Sequence, residues 1–114
     1  MKATIAWWDL SQSHQTIDTL RDYLQNEGVL PWSGTEGMIL KFWFSDRKTN
    51  RWGAVMLWAS DADMSVPLPP NRATELIGYP PTERMSTELD AWVGGTELSA
   101  LSGHNRTFVP ERML

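Results

Sequence analysis

The fold of this chain is decided by residues 41–58, which read KFWFSDRKTNRWGAVMLW. Two apolar segments flank a polar connection, and side chains alternate along each segment as they do on the two faces of a β-strand. In the second segment Trp52, Met56 and Trp58 share one face, while Val55 lies on the other. The pattern predicts a β-hairpin with two apolar faces, and each face needs a cover.

On the N-terminal side of this hairpin, residues 3–10 (ATIAWWDL) are apolar on both faces, which predicts a central strand of the sheet. Apolar residues then recur at helical spacing as far as Gly28. Ser11 or Ser13 is the predicted N-cap of this helix, and Gly28 is its predicted left-handed C-cap.

On the C-terminal side, prolines interrupt a long segment, and a short helix (RATELI) follows, capped by Asn71 and closed by Gly78. Residues 83–92 alternate between less polar and more polar side chains. This alternation predicts a strand with one polar face and one buried face, the buried face beginning at Met85. After VGG the sequence allows one short helical turn at 97–101.

The order of these elements is strand, helix, strand, strand, helix, strand. It predicts an α+β fold of the ferredoxin-like type, β-α-β-β-α-β, with an antiparallel four-stranded sheet. We assign residues 1–93 to this single domain and residues 94–114 to a C-terminal extension that could wrap around a partner subunit.

Composition excludes several classes of function. The 114 residues suit one domain, contain no cysteine and carry a net charge of −4, with the basic residues scattered. Disulfides and thiolate chemistry are therefore excluded, the two histidines indicate no metal site, and the charge argues against nucleic acid as a partner. No apolar run is long enough for a membrane span or a signal peptide, so we expect a cytoplasmic protein without membrane contact.

Seven Trp and six Met residues are typical of interfaces and of pockets for flat apolar ligands. In a ferredoxin-like fold the helices cover only one face of the sheet. The other face could bind stacked bases as an RNA-recognition domain does, but the basic surroundings and the Gly-aromatic motif are missing. We therefore predict a homodimer through this sheet face, with a cavity for a small hydrophobic molecule between the helices and the sheet.

Two segments carry a resemblance to a known family: GMILKFWFSDRKTNRWGAVMLWASDADM at 37–64 and LPPNRATELIGYPPTERMSTELDAW at 68–92. Together they resemble the cofactor-free monooxygenases of the dimeric α+β barrel superfamily. The resemblance covers about residues 3–92, and its most recognisable part is a Lys-x-Trp strand, a charged turn, and a Gly followed by an apolar strand that ends in Trp. The chain departs from the family pattern in the interruption VPLPPN at 66–71 and in its longer tail.

The resemblance implies a homodimer whose paired sheets form a barrel, with a flat hydrophobic ligand in each subunit. Family members of known activity oxidise polycyclic phenols to quinones with O₂ and use neither a metal nor a flavin. The resemblance therefore implies no cofactor for this chain.

Direct oxidation of a phenol requires a site that binds a planar ring, stabilises its anion and limits water. Trp and Tyr supply walls, Lys or Arg supplies charge, and Asn supplies a directional hydrogen bond. Structural roles also account for many of these residues, such as a helix cap for the Asn and ion pairs for the arginines, but a lysine on a buried strand face is hard to explain structurally. The sequence does not identify the catalytic residues, and the predicted substrate-binding residues are Lys41, Trp43, Trp58, Asn71, Arg72, Tyr79 and Arg84.

Three hypotheses about function stay open at the level of sequence. The first is a cofactor-independent monooxygenase or related oxidoreductase acting on a small planar aromatic or polyketide-like substrate. The second is a non-catalytic homodimeric protein of the same fold that binds a small molecule or serves as a scaffold. The third is a cyclisation or isomerisation with acid–base help in the same pocket. A closed pocket with ordered Tyr, Asn and Arg groups would favour an enzyme, whereas a pocket filled by the protein's own Trp and Met side chains would favour a scaffold. A ligand site open to bulk water would weaken the oxygenation hypothesis in particular.

Overall fold

The computed structural model describes residues 1–69 and 71–101. It contains a four-stranded antiparallel sheet in the order β2-β3-β1-β4, with two α-helices in the connections. This confirms the predicted α+β class and the antiparallel sheet, and the topology is compatible with the ferredoxin-like fold. The strands and helices are β1 (Lys2–Asp9), α1 (Ile17–Tyr23), β2 (Met38–Asp46), β3 (Arg51–Trp58), α2 (Ala73–Ile77) and β4 (Glu83–Glu88).

The first helix begins later than the sequence predicts. Thr16 is its N-cap and forms a capping box with Thr19, so the predicted caps Ser11 and Ser13 are wrong. Ser11 lies in a short 3₁₀ turn, Leu10–Gln12, and the Ser13 hydroxyl donates to the carbonyl oxygen of Ile77 at 2.8 Å. Ser13 therefore joins the start of α1 to the end of α2.

The predicted left-handed cap at Gly28 is also wrong. Gly28 has no positive φ and closes a π-helical turn, Leu24–Gly28, that continues α1. Its small size matters for another reason, since a Cβ at this position would lie 2.7 Å from the Tyr23 ring. The residue allows a close contact between the turn and the aromatic ring.

The second helix follows the prediction in its position and in its end at Gly78, but its N-cap is Arg72 rather than Asn71. The Asn71 side-chain oxygen accepts a hydrogen bond from the Ala73 backbone N–H at 3.1 Å, and Gly78 ends the helix in the left-handed conformation with φ 102°. The hairpin between β2 and β3 also forms as predicted, and Asn50 takes the positive φ, 54°, that its turn requires.

The sheet has two faces, which we call inner and outer. The inner face points to the helices, and its side chains pack with α1 and α2 into one core around Trp8, Leu20 and Trp52. The alternation predicted for the hairpin is confirmed, because Trp43 pairs with Ala54 and Lys41 with Met56 on the inner face. The outer face has no cover within residues 1–69 and 71–101, and its apolar side chains are Ile5, Trp7, Leu40, Phe42, Phe44, Val55, Leu57 and Met85.

The last strand differs from the prediction in length and burial. β4 ends at Glu88 rather than at residue 92, and all six of its residues are exposed. The predicted buried face is wrong, because Met85 lies on the uncovered outer face and is 47% exposed. Arg84 and Ser86 occupy the inner side instead, since they pair with the inner-face residues of β1.

Beyond β4 the chain forms one short 3₁₀ turn, Leu98–Leu101, which confirms the predicted helical turn near 97–101. Most of the predicted extension, residues 102–114, lies outside the described residues. Among the described residues no helix is long and apolar enough to cross a membrane. The cytoplasmic location stays a prediction of the sequence.

Candidate functional site

A cavity of about 280 Å³ lies between the inner face of the sheet and the segments that cover it. Strands supply its floor, including Thr4, Ala6, Ala54 and Met56. The roof comes from the 3₁₀ turn Leu30–Trp32, from the proline-interrupted segment after β3 and from the start of α2. The roof residues are Trp32, Met64, Leu68, Pro69, Asn71 and Ala73.

Tryptophan dominates the wall of this cavity. Five of the seven tryptophans line it: Trp8, Trp32, Trp43, Trp52 and Trp58. Four of them are at most 4% exposed, and Trp43 is half-buried. Two indole N–H groups have protein partners, since Trp8 donates to the Tyr79 carbonyl oxygen at 2.9 Å and Trp58 donates to the Thr4 hydroxyl at 3.3 Å. These two hydrogen bonds hold the rings of Trp8 and Trp58 in place as flat, apolar surfaces.

Lys41 places an amine among these rings. Its Nζ lies 3.3 Å from the centre of the Trp32 ring and 4.9 Å from the centre of the Trp43 ring. Burial lowers the pKa of Lys41 from 10.5 to about 7, because the charged form loses water. No carboxylate of residues 1–69 or 71–101 forms an ion pair with it. The amine therefore exchanges its proton near neutral pH, and the Trp faces stabilise it when it is charged.

The strand register places a second cation at the opposite side of the cavity. Lys41 pairs with Met56, Met56 with Thr4, and Thr4 with Ser86, so one row of side chains crosses all four strands. Arg84 lies in the next row, two residues from Ser86 on β4. Three strand spacings of about 4.8 Å put the two edge strands roughly 14 Å apart.

Lys41 and Arg84 are the two ionisable side chains among the described residues that line this cavity, and the lining includes no carboxylate. The chain as a whole carries a net charge of −4, so this positive wall is a local property of the site. The arrangement suits a flat aromatic molecule that bears a negative charge or a readily lost proton. Lys41 and Arg84 also have a possible structural role. Both lie on edge strands, where inward-pointing charges discourage edge-to-edge association of sheets.

The structure brings five of the seven predicted substrate-binding residues to this cavity: Lys41, Trp43, Trp58, Asn71 and Arg84. The other two predicted residues lie elsewhere. Arg72 is not part of the cavity wall and forms ion pairs with Glu27 and Glu75 instead. The Tyr79 hydroxyl donates to the Asp9 carbonyl oxygen and so fastens the end of β1 to the loop before β4.

Sequence reasoning missed Trp32, whose ring centre lies 3.3 Å from the Lys41 amine. It lies in the segment VLPWSGTEG, which the sequence marks as a loop. The structure folds part of that loop into the 3₁₀ turn Leu30–Trp32, and Thr35 secures it by donating its hydroxyl to the Trp32 carbonyl oxygen at 2.7 Å. The presence of a large aromatic residue, Trp32, in this loop was the signal in the sequence that could have indicated a role in the site.

The chain matches no protein-family model and no curated protein. The resemblance to cofactor-free monooxygenases therefore stays a prediction from the sequence. Among residues 1–69 and 71–101, no three His, Asp or Glu side chains come close enough together to hold a metal ion.

A second cavity of about 320 Å³ adjoins the first on the other side of Trp58, Met64 and Leu68. Its wall includes Pro31, residues 33–36, Asp63 and residues 66–69, and it carries the carboxylates of Glu36 and Asp63. Leu68 and Pro69, which belong to the interruption at 66–71, line both cavities. The acidic cavity has none of the aromatic walls of the first apart from Trp58.

Proposed function

We propose that this protein binds a small, flat, weakly acidic aromatic molecule, such as a phenol, in the tryptophan-lined cavity and oxidises it with O₂ as a cofactor-independent monooxygenase. The observation that carries the proposal is the composition of the wall: five tryptophans line the cavity, the partly buried Lys41 amine lies against two of them, and the described residues of the lining include no carboxylate. Pockets for drug-sized ligands measure about 300–1,000 Å³, so a cavity of about 280 Å³ suits a ligand of one or two rings.

Lys41 is the residue to which we assign the acid–base step. With a pKa of about 7, a large fraction of the amine is neutral at physiological pH and can accept the proton of a phenol. The resulting ammonium remains beside the phenolate, where the Trp32 and Trp43 faces and the phenolate oxygen stabilise it together. The electron-rich ring then reacts with O₂, and overall a phenol with a free ring position and one O₂ give one quinone and one water.

Binding of 1-naphthol is the direct test of this site. We expect the wild-type protein to bind 1-naphthol with quenching of its tryptophan fluorescence, because the wall tryptophans would contact the ligand. Lys41→Met should weaken this binding at least about tenfold, since a hydrogen bond to a charged group contributes about 1.5–3 kcal/mol. The same variant should bind 1-methoxynaphthalene as the wild type does, because that ligand has no acidic proton.

Lys48→Met is the matched control, because Lys48 is exposed in the hairpin turn and should not affect either ligand. Oxygen uptake and product analysis with 1-naphthol then separate enzyme from binding protein. Binding accompanied by quinone formation supports the whole proposal. Binding without oxygen uptake overturns the monooxygenase assignment and leaves a small-molecule-binding protein, and an absence of binding overturns both.

We also infer that the outer face pairs with the same face of a second copy of the chain. The apolar side chains of this face extend over all four strands, and Phe42 and Met85 are 44% and 47% exposed. Monomers rarely leave so continuous an apolar surface in water, and two flat sheets can bury it face to face. The uncovered apolar face thus supports the homodimer that we expect from the sequence.

The outer-face dimer predicts a particular mass in solution. The chain has a mass of 13.0 kDa, so sedimentation should give twice that value for the wild type. Leu57→Arg introduces a charge in the centre of the face and should shift the protein to the monomer. Leu30→Arg, at a residue that is 71% exposed outside the sheet, should leave the dimer intact. A wild-type monomer at micromolar concentration would contradict the inference.

A further inference from the structure

We propose a second reactivity for the cavity: Lys41 forms an imine with aromatic aldehydes that bind against the tryptophan wall. This goes beyond oxidation of a phenol, because the amine acts as a nucleophile toward a carbonyl carbon rather than as a base. It does not depend on the proposed monooxygenase activity, since no O₂ takes part.

The position of the amine is the first support for this reactivity. Lys41 lies on the wall of the cavity, and its Nζ is bounded by the Trp32 and Trp43 rings rather than by a hydrogen-bonding carboxylate. A carboxylate partner would hold a lysine in the ammonium form, which has no lone pair for attack. Lysines that form Schiff bases are typically desolvated in apolar pockets or placed near another cation.

The surroundings of the amine are the second support. From β3 and β1 the neighbours in its row are Met56 and Thr4, which carry no charge. The roof above the cavity contributes Trp32, Met64, Leu68, Pro69 and Asn71, and Arg84 from β4 is the other charged group on the wall. Among the residues that the structure describes, both charges on the wall are thus positive, and burial favours the neutral amine. The lowered pKa of Lys41 agrees with this geometry.

The reaction balances without an oxidant or a further reactant. The Lys41 nitrogen forms a bond to the aldehyde carbon, and the carbonyl oxygen takes up a proton to give a carbinolamine. Loss of one water then gives the imine, with the aromatic ring of the aldehyde on the tryptophan wall. Cyanoborohydride delivers hydride to the imine carbon and converts the product to a stable secondary amine.

The chain carries its own reference amines for a labelling experiment. It has three lysines, and the other two, Lys2 and Lys48, are exposed at the start of β1 and in the hairpin turn. We treat the intact protein at pH 7 with a limiting amount of 2-naphthaldehyde and sodium cyanoborohydride, and map the labelled peptides by mass spectrometry. Mapping separates Lys41 from Lys2, from Lys48 and from the α-amino group.

We expect Lys41 to be labelled at least about tenfold faster than Lys2 and Lys48. Lys41→Met should lose this fast phase and Lys48→Met should keep it, with circular dichroism used to verify that both variants are folded. Equal labelling of the three lysines, or a fast phase that survives in folded Lys41→Met, would overturn the proposal. The monooxygenase assignment is tested in a separate experiment that contains no aldehyde, by binding of 1-naphthol and by oxygen uptake. A failure there does not affect the result of the labelling experiment.

Discussion

Lys41→Met is expected to stabilise the protein at pH 7 by about 2 kcal/mol while it weakens binding of 1-naphthol at least about tenfold. The pKa of Lys41 falls from 10.5 in the unfolded chain to about 7 in the folded protein, so burial of its charge opposes folding at neutral pH by roughly 4 kcal/mol. Methionine fills a similar volume without charge. Its substitution also removes the packing of the lysine side chain against Trp32 and Trp43, which offsets about half of the gain.

The same pKa shift fixes the sign of a pH dependence. Below pH 7 both the folded and the unfolded chain bind the Lys41 proton, so the full burial cost is present. Between pH 7 and 10.5 the unfolded chain binds more protons than the folded protein, and the free energy of unfolding therefore rises with pH. Burial raises the pKa of Tyr23 above its ordinary value of 10.0. The unfolded chain therefore loses this proton first, and the free energy of unfolding falls with pH only above about pH 10.

Urea denaturation of the wild type and of Lys41→Met at pH 7 and at about pH 9.5 measures both effects. The wild type should gain stability over this interval, and the variant should lose most of that dependence. In a thermal scan at pH 7 the variant should unfold roughly 8 °C higher than the wild type. Lys48→Met should change the free energy of unfolding by less than about 0.5 kcal/mol. A Lys41→Met protein less stable than the wild type would show that the amine is not buried in an apolar site.

Gly53→Ala is expected to destabilise the protein by about 3 kcal/mol. A glycine inside a strand is ordinarily a weakness, and replacement by alanine would then add about 0.5–1 kcal/mol of stability. Here a Cβ would lie 2.5 Å from the Phe44 ring and 2.6 Å from the Ala6 carbonyl oxygen. The ring could turn away, but the carbonyl belongs to the neighbouring strand, where Ala6 pairs with Ala54. Overpacking against a fixed backbone therefore makes this glycine-to-alanine substitution destabilising rather than stabilising.

Gly95→Ala is the control for this experiment. Among residues 1–69 and 71–101 no atom lies within 4 Å of a Cβ built there, and its φ lies outside the left-handed region, so its substitution should be neutral or slightly stabilising. Both variants are compared with the wild type by urea denaturation at pH 7. A Gly53→Ala protein as stable as the wild type would contradict the described approach of β2 and β1 to Gly53.

The faces of the hairpin could be predicted from the sequence because alternation with period two is a strong constraint. It correctly placed Lys41 and Trp43 on the same side of the sheet as Trp52 and Trp58. The same alternation in β4 revealed two faces but not which one meets the helices. That choice depends on the register with β1, where Arg84 pairs with Ala6, and register between distant strands is not visible in a single sequence.

The predicted site also included residues that are near in sequence but not in space. Arg72 and Tyr79 belong to the same short segment as Asn71 and Arg84, and proximity in the chain suggested convergence. α2 and its left-handed end at Gly78 turn them in other directions, toward Glu27 and toward the end of β1. Trp32 was missed for the opposite reason, because it reaches the cavity only through tertiary folding of a loop that has no periodic pattern.

The row of side chains from Lys41 to Ser86 has a consequence for motion in the molecule. It joins the two edge strands, so the binding site belongs to the whole width of the sheet and not to any one element. Edge strands fray more readily than central ones, and β4, with six exposed residues, has the least to hold it. Detachment of β4 would remove Arg84 and open the floor of the cavity beside β1. The bound aromatic molecule could leave through such a transient gap in the floor while the roof of the cavity stays in place.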